Sequence, residues 1–132
     1  MINTSVFDYV NVLDKAADAS WTRNKAISNN LANAATPNYK RQDVTFEAEL
    51  RSAIVGNPGS MDQRIRALNT GNHLSKLNGT VFTDTAEVSY RLDGNNVDVD
   101  TENVYLAENQ IKYQGLINSI NQEFSNFRTV IK

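Results

Sequence analysis

Apolar and small residues recur at alternating spacings of four and three along both ends of the chain, and this double seam most limits the folds open to it. The N-terminal series is Val6, Val10, Leu13, Ala17, Ser20, Asn24, Ile27, Leu31 and Ala34. The C-terminal series is Leu106, Gln110, Tyr113, Ile117, Ile120, Phe124, Phe127 and Ile131. Such spacing holds a stripe on one side of an α-helix, which turns once per about 3.6 residues. It predicts two long helices, over residues 5–35 and 101–131. Each is roughly 45 Å long at about 1.5 Å per residue, and equal lengths suit an antiparallel pair.

The ends of these segments carry start and stop signals. Ser5 with Asp8 resembles a capping box in which Asp replaces Glu. Pro37 closes the first helix, because it lacks an amide hydrogen and disfavours helical geometry at Thr36. Asp100 is placed to cap the second helix, with Glu102 at the positive end of its dipole. Glu108 and Lys112 stand in the favourable order for an i,i+4 pair.

One pair of helices does not use all the apolar residues. Phe7 and Trp21 flank the first seam. Val104, Ala107 and Ile111 lie nearly opposite the second, and Leu116 and Val130 widen it. Ser20 and Asn24 at seam positions weaken the pairing and suit a register-setting role. The pattern therefore implies further helices, supplied by neighbouring subunits.

Between the seams the pattern breaks up. Phe46, Leu50 and Ile54 predict a short helix, ended by Gly56-Asn57-Pro58-Gly59. The chain is then polar up to Thr80. Val81-Phe82 and Val88-Ser89-Tyr90-Arg91-Leu92 are strand-like, and Asp93-Gly94 forms a turn into the second long helix. The expected fold is mainly α, with two long terminal helices in an antiparallel coiled-coil-like pair. A small loop-rich middle holds a short helix and has room for a β-hairpin. The expected division is 1–42 and 96–132 as the core and assembly unit, and 43–95 as the irregular middle.

Bulk properties exclude several function classes. The 132 residues make one domain, and a net charge of −2 gives no basic field for nucleic acid. With no cysteine there are no disulfides or thiolate sites. Asp8, Asn11 and Asp14 interrupt the first 20 residues, and no Lys or Arg precedes Lys15, so they do not form a cleavable secretory signal. No stretch is long and apolar enough to span a membrane. The expectation is residence in the cytosol or exit by a route without cleavage.

Candidate chemistry gives way to plainer readings. His73, the single histidine, sits in a loop by composition and reads as an ordinary surface residue. Asp98, Asp100 and Glu102 alternate as in a calcium loop, but Asn103 and Asn109 stand where that pattern needs Gly and Glu. Thr36-Pro37-Asn38-Tyr39-Lys40 has no glycine with which to wrap a phosphate, so it reads as a helix stop with a turn. No His or Glu occupies an inward seam position, so the seams read as packing and not as a cofactor cavity. No catalytic, cofactor-binding or metal-ligating residue is assigned, no cofactor or small-molecule substrate is expected, and a structural role is favoured over an enzymatic one.

The segment Ser28-Asn29-Asn30-Leu31-Ala32-Asn33-Ala34-Ala35-Thr36-Pro37-Asn38-Tyr39-Lys40 resembles the NNLANxxTPGYK signature of the bacterial flagellar rod and hook axial family. Its matching positions are Asn29, Asn30, Leu31, Ala32, Asn33, Thr36, Pro37, Asn38 and Tyr39. Residues 41–50, 92–102 and 106–114, together with the short length, are similar to the proximal rod (FlgB) family within it. The resemblance covers about half of the residues and leaves 57–90 unmatched. Asn38 stands where that family usually has Gly; Asn tolerates left-handed backbone better than most residues, so the turn is kept at small cost.

The resemblance implies a structural rod subunit of the flagellar basal body, exported unfolded by the flagellar type III route without a cleaved signal peptide. It implies assembly in the periplasm through the terminal helices into a tubular, torque-transmitting shaft. The implied partners are copies of itself, other rod subunits, the basal-body adaptor, and membrane-ring and export-gate proteins. The implied assembly residues are Val6, Val10, Leu13, Ala17, Ile27, Leu31 and Ala34 with Leu106, Tyr113, Ile117, Ile120, Phe124, Phe127 and Ile131. The alternatives are another small rod subunit, which residues 92–102 argue against, and a cytosolic helical-bundle adaptor or signalling module.

Overall fold

A computed structural model describes residues 5–71, 73–85 and 91–131, without the side chains of Ser5 and Val6. Its elements in chain order are α1 (Ser5–Ala32), β1 (Gln42–Thr45), α2 (Glu47–Val55), α3 (Met61–Thr70), a 3-10 turn (Leu74–Lys76), β2 (Thr80–Thr83) and α4 (Val99–Ile131). The chain is mainly helical, with one small antiparallel sheet among the described residues. In that sheet Gln42 faces Thr83 and Thr45 faces Thr80. Contacts between α1 and α4 run in opposite sequence order, from Asn30 with Glu102 to Phe7 with Phe127.

Both long helices differ from the expected bounds. α1 ends at Ala32 and not at 35, because the chain leaves the helix in turns well before Pro37: Ala34 N donates to Leu31 O, and Thr36 N to Asn33 O. α4 starts at Val99, two residues early, and its cap is Asp98 and not Asp100. Asp98 Oδ1 accepts from Asp100 N at 3.1 Å and its Oδ2 from Thr101 Oγ1 at 2.6 Å, which satisfies first-turn donors. The Ser5 capping box and the Val6 seam position fall outside the described side chains.

The middle is more regular than its polarity suggests. α2 covers the expected short helix, shifted by one residue. α3 was expected to be loop, yet Ser60 and Gln63 form a full capping box at its start, and Ile65 and Leu68 are buried. β1 was not expected, and its pairing with β2 is not a hairpin, since α2, α3 and the 3-10 turn lie between the strands. Of the strand-like run 88–92, Arg91 and Leu92 lie in a bend and turn, and 88–90 fall outside the described residues.

The main buried cluster lies beside α1, away from the α4 seam. Ala19 and Ala26 pack with Val44, Phe46 and Leu77, with Leu50, Ala53 and Leu74 at its edge. Alanines on α1 let β1 and the loop before β2 approach closely. Gly79 shows how closely: at φ +57° it sits where a Cβ would meet the Ala19 Cβ at 3.0 Å.

Candidate functional site

Two regions carry the functional argument: a clasp joining the end of α1 to the start of α4, and the open seam beyond it. The clasp is built from residues 29–41 and 91–102, two segments that carry the resemblance. Asn30 is fully buried. Its Oδ1 accepts from Gln42 N and its Nδ2 donates to Gln42 O, both at 2.8 Å, so one amide stands in for a neighbouring strand on the free edge of β1. Nδ2 also donates to Glu102 Oε2 at 3.1 Å, and Tyr39 Oη donates to Asn30 Oδ1 at 3.3 Å.

Glu102 is 1% exposed, a carboxylate in the interior. Arg41 Nε donates to its Oε1 at 2.8 Å. Arg41 also reaches Asp43 and Asp84 at 3.3 and 3.4 Å, and its guanidinium lies 5.6 Å from the Tyr105 ring centre. Burial works against the Arg41 charge, but its hydrogen bond to Glu102 and the attraction of Glu102 and Asp43 more than offset this and raise its pKa. Burial, then the nearby Glu102 charge, raises that of Tyr39. A buried ion is tolerable when it is both paired and hydrogen-bonded, as this one is.

Asn95, also buried, plugs the C-terminal end of α1. Its Nδ2 donates to Asn33 O, Ala34 O and Thr36 O within 3.1 Å, tying the loop before α4 to the turns that follow α1. Arg91 Nη1 adds a bond to Ala34 O at 2.5 Å. The turn below interlocks with the opposite loop. Asn38 N donates to Asp93 O, Lys40 Nζ to Gly94 O, and Arg41 N to Asn96 Oδ1, each within 2.8 Å. Asn38 adopts φ 60° and Gly94 φ 76°; a Cβ on Gly94 would meet the Asn38 Oδ1 at 2.7 Å.

A second set of charges ties α2 to both long helices. Arg23 donates to Glu47 at 2.6 and 2.8 Å, to Asp43 at 3.2 Å and to Val44 O at 2.6 Å. Lys112, expected to pair with Glu108, instead reaches Glu47 at 2.7 Å, because the fold brings α2 beside it. Burial pushes the Glu47 carboxyl up, but the bonds from Arg23 and Lys112 outweigh it and hold it at about 2.

The seam residues have unequal surroundings. Ala17 and Ile27 are buried; Val10, Leu13, Leu31 and Ala34 are half-buried. On α4, Leu106, Tyr113, Ile117, Ile120 and Phe127 are half-buried, whereas Phe124 is 48% and Ile131 63% exposed. Phe7 meets Phe127 edge-on at 5.3 Å, and Trp21 meets Tyr113 at 6.3 Å. Beside the Trp21–Tyr113 contact Asn109 Nδ2 donates to Ser20 O at 2.8 Å, while its buried Oδ1 has no partner. In the signature, Asn30 is buried; Leu31, Asn33 and Tyr39 are half-buried; and Asn29, Ala32, Thr36, Pro37 and Asn38 are exposed.

Sequence reading missed Glu102, Asn95, Arg41 and Asn109 as interior groups. A signal existed for two of them: one step of four back from Leu106 lands on Glu102, and one step of three forward lands on Asn109. Among the described residues no group of three or more His, Asp or Glu could hold a metal ion, and no helix is long and apolar enough to cross a membrane. His73 is exposed in the lead-in to the 3-10 turn.

No protein-family model matches the chain. Similar proteins span nearly its whole length. The flagellar basal body rod protein FlgB of Bacillus subtilis is 34% identical over 123 residues, covering 90% of this chain and 89% of that protein. The protein of the same name from Cereibacter sphaeroides is 35% identical over 129 residues, covering 98% of each. That of Escherichia coli is 28% identical over 116 residues, covering 83% of each. The chain belongs to the family of the flagellar basal body rod protein FlgB, and is a structural rod subunit and not an enzyme.

Proposed function

We propose that this rod subunit joins its neighbours through the open seam, and that the clasp holds α1 and α4 ready as one coiled-coil-like antiparallel pair. On this reading residues 1–42 and 96–132 form the assembly unit, and 43–95 an appended middle. The pair polymerises into a tubular shaft that transmits torque. Its partners are copies of itself, other rod subunits, the basal-body adaptor, and ring and export-gate proteins. The chain reaches the periplasmic rod through the flagellar export apparatus, unfolded and without cleavage of a signal peptide.

The observation that carries this reading is unburied surface. On the two long helices Phe7, Trp21, Ile111, Phe124 and Ile131 are 44–75% exposed, more apolar surface than a single chain covers. Torsional load favours such a design, because long helices that touch several neighbours share the strain.

The test is incorporation into purified basal bodies. Phe124→Asp and Leu31→Asp each place a charge in a seam that must close dry, and both are expected to abolish incorporation and motility. Motile cells with either variant in the rod would remove the seam from the mechanism. Recovery of the wild-type chain only from the cytosol would favour a helical-bundle adaptor.

A further inference from the structure

We infer that Asn78-Gly79 is a site of spontaneous deamidation, which the native fold holds back through Lys15 and the seating of Gly79 and which unfolding releases. It is the only Asn-Gly pair in the chain. A glycine after asparagine leaves the following amide nitrogen unhindered and free to turn toward the side-chain carbonyl. The Gly79 nitrogen attacks Asn78 Cγ. The N–Cγ bond forms, the Cγ–Nδ2 bond breaks, and ammonia leaves with the former Gly79 amide proton. Water then opens the cyclic imide at either of its carbonyls. One product is an ordinary aspartyl residue. The other is β-linked, with one more carbon in the main chain. Water is the only co-reactant.

The fold restrains both reacting groups. Asn78 is exposed, yet both ends of its amide are held: Lys15 Nζ donates to Oδ1 at 2.9 Å, and Nδ2 donates to Ser75 O at 2.8 Å. Ring closure has to swing the amide off these partners and turn the peptide that joins residues 78 and 79. Gly79 is buried at φ +57°, where a Cβ would meet the Ala19 Cβ at 3.0 Å and Val44 Cγ1 at 3.1 Å. Ala19 and Val44 belong to the main buried cluster. Turning that peptide presses backbone against packed core atoms that have little room to yield. The reaction therefore runs through opened chains, and its rate follows their population.

The two products act differently on that core. The ordinary aspartyl product keeps the backbone and offers the Lys15 ammonium a carboxylate. The β-linked product lengthens the main chain beside Gly79, which then loses its seat against Ala19 and Val44. A chain left unfolded thus acquires a lesion where α1 meets the sheet. Assembly plays no part in this, so the inference stands or falls apart from the rod reading.

Peptide mass spectrometry tests this on the full-length chain, aged in mildly alkaline buffer with and without denaturant. Deamidation at Asn78 is expected at least ten-fold faster in denaturant. Equal rates in the two conditions, or an Asn78 that survives in denaturant, would overturn the inference. Lys15→Met should speed the reaction three-fold or more in the folded chain and leave the denatured rate unchanged. Lys15→Arg, which keeps a donor, should stay near the wild-type rate. A folded Lys15→Met chain that ages no faster than wild type would remove Lys15 from the restraint. Should Lys15→Met lower the unfolding midpoint, faster ageing confined to Asn78 still marks a local restraint, whereas ageing spread over the other asparagines would overturn it. Asn78→Asp should unfold at the wild-type midpoint, and the separated β-linked chain at a lower one. Equal midpoints would overturn the link to the core.

Discussion

The two ends of the α1–α4 pair are packed by different rules. At the clasp, Asn30, Asn95 and Glu102 are at most 1% exposed, and their polar atoms bond to backbone, to one another, to Arg41 or to Tyr39. Toward the chain termini, Phe7, Phe124 and Ile131 remain 44–63% exposed in spite of their aromatic and aliphatic character. The clasp is closed within one chain. The terminal seam has apolar surface but too few partners. Polar networks give a joint one geometry, since any slip leaves buried groups unsatisfied. An apolar stripe is less exacting and can accept whichever helix arrives. On the assembly proposed above, the subunit would use both kinds of contact, in separate places.

The sharpest way to break this contrast is to remove a clasp group. Glu102→Ala removes the buried acceptor shared by Arg41 and Asn30, which keep only Asp43, Asp84 and the Gln42 backbone, and should cost about 1.5–3 kcal/mol in denaturant unfolding of the purified subunit. Phe124→Asp should abolish rod incorporation yet change the same unfolding free energy by only about 1 kcal/mol, since half of that side chain already faces water. A large loss of monomer stability in Phe124→Asp would erase the distinction. Hydrogen exchange on the free subunit should show strong protection through residues 99–109 and weak protection at 6–20 and 117–131. Equal protection along α4 would mean the seam is already satisfied in a single chain.

The Glu47 link refines the picture on a smaller scale. Its folded pKa of about 2 lies below the ordinary carboxylate value. A depressed acid stabilises the fold above the unfolded pKa, near 4.5, and loses that contribution as pH falls toward 2. With 49% of the side chain exposed, solvent screening limits the effect to about 1 kcal/mol or less. Glu47→Gln should therefore flatten that part of the stability–pH curve. His73→Ala should change neither unfolding nor assembly, within about 0.5 kcal/mol.

Much of this architecture could be read along the chain. The four-three spacing placed both long helices to within three residues at their inner ends. The Leu50 and Ile54 spacing found α2, and Asp93-Gly94 found the turn before α4. The signature around Asn30 and Pro37 pointed to the family. α3 was missed because its stripe has few apolar members, although the Ser60–Gln63 box announced it. β1 was missed because its four residues bury one side chain, Val44, and owe their extended form to partners elsewhere.

Helix periodicity, caps and turns are local, so residues a few positions apart suffice to specify them, and the sequence alone determined these together with the family. The tertiary structure decided which polar groups enter the interior. Asn30 meets Glu102 across 72 residues of chain, and Asn109 meets Ser20 across 89. Whether an amide or a carboxylate faces water or a partner depends on groups that only folding brings near, because desolvation is tolerable only where the complementary donor or acceptor is already in place.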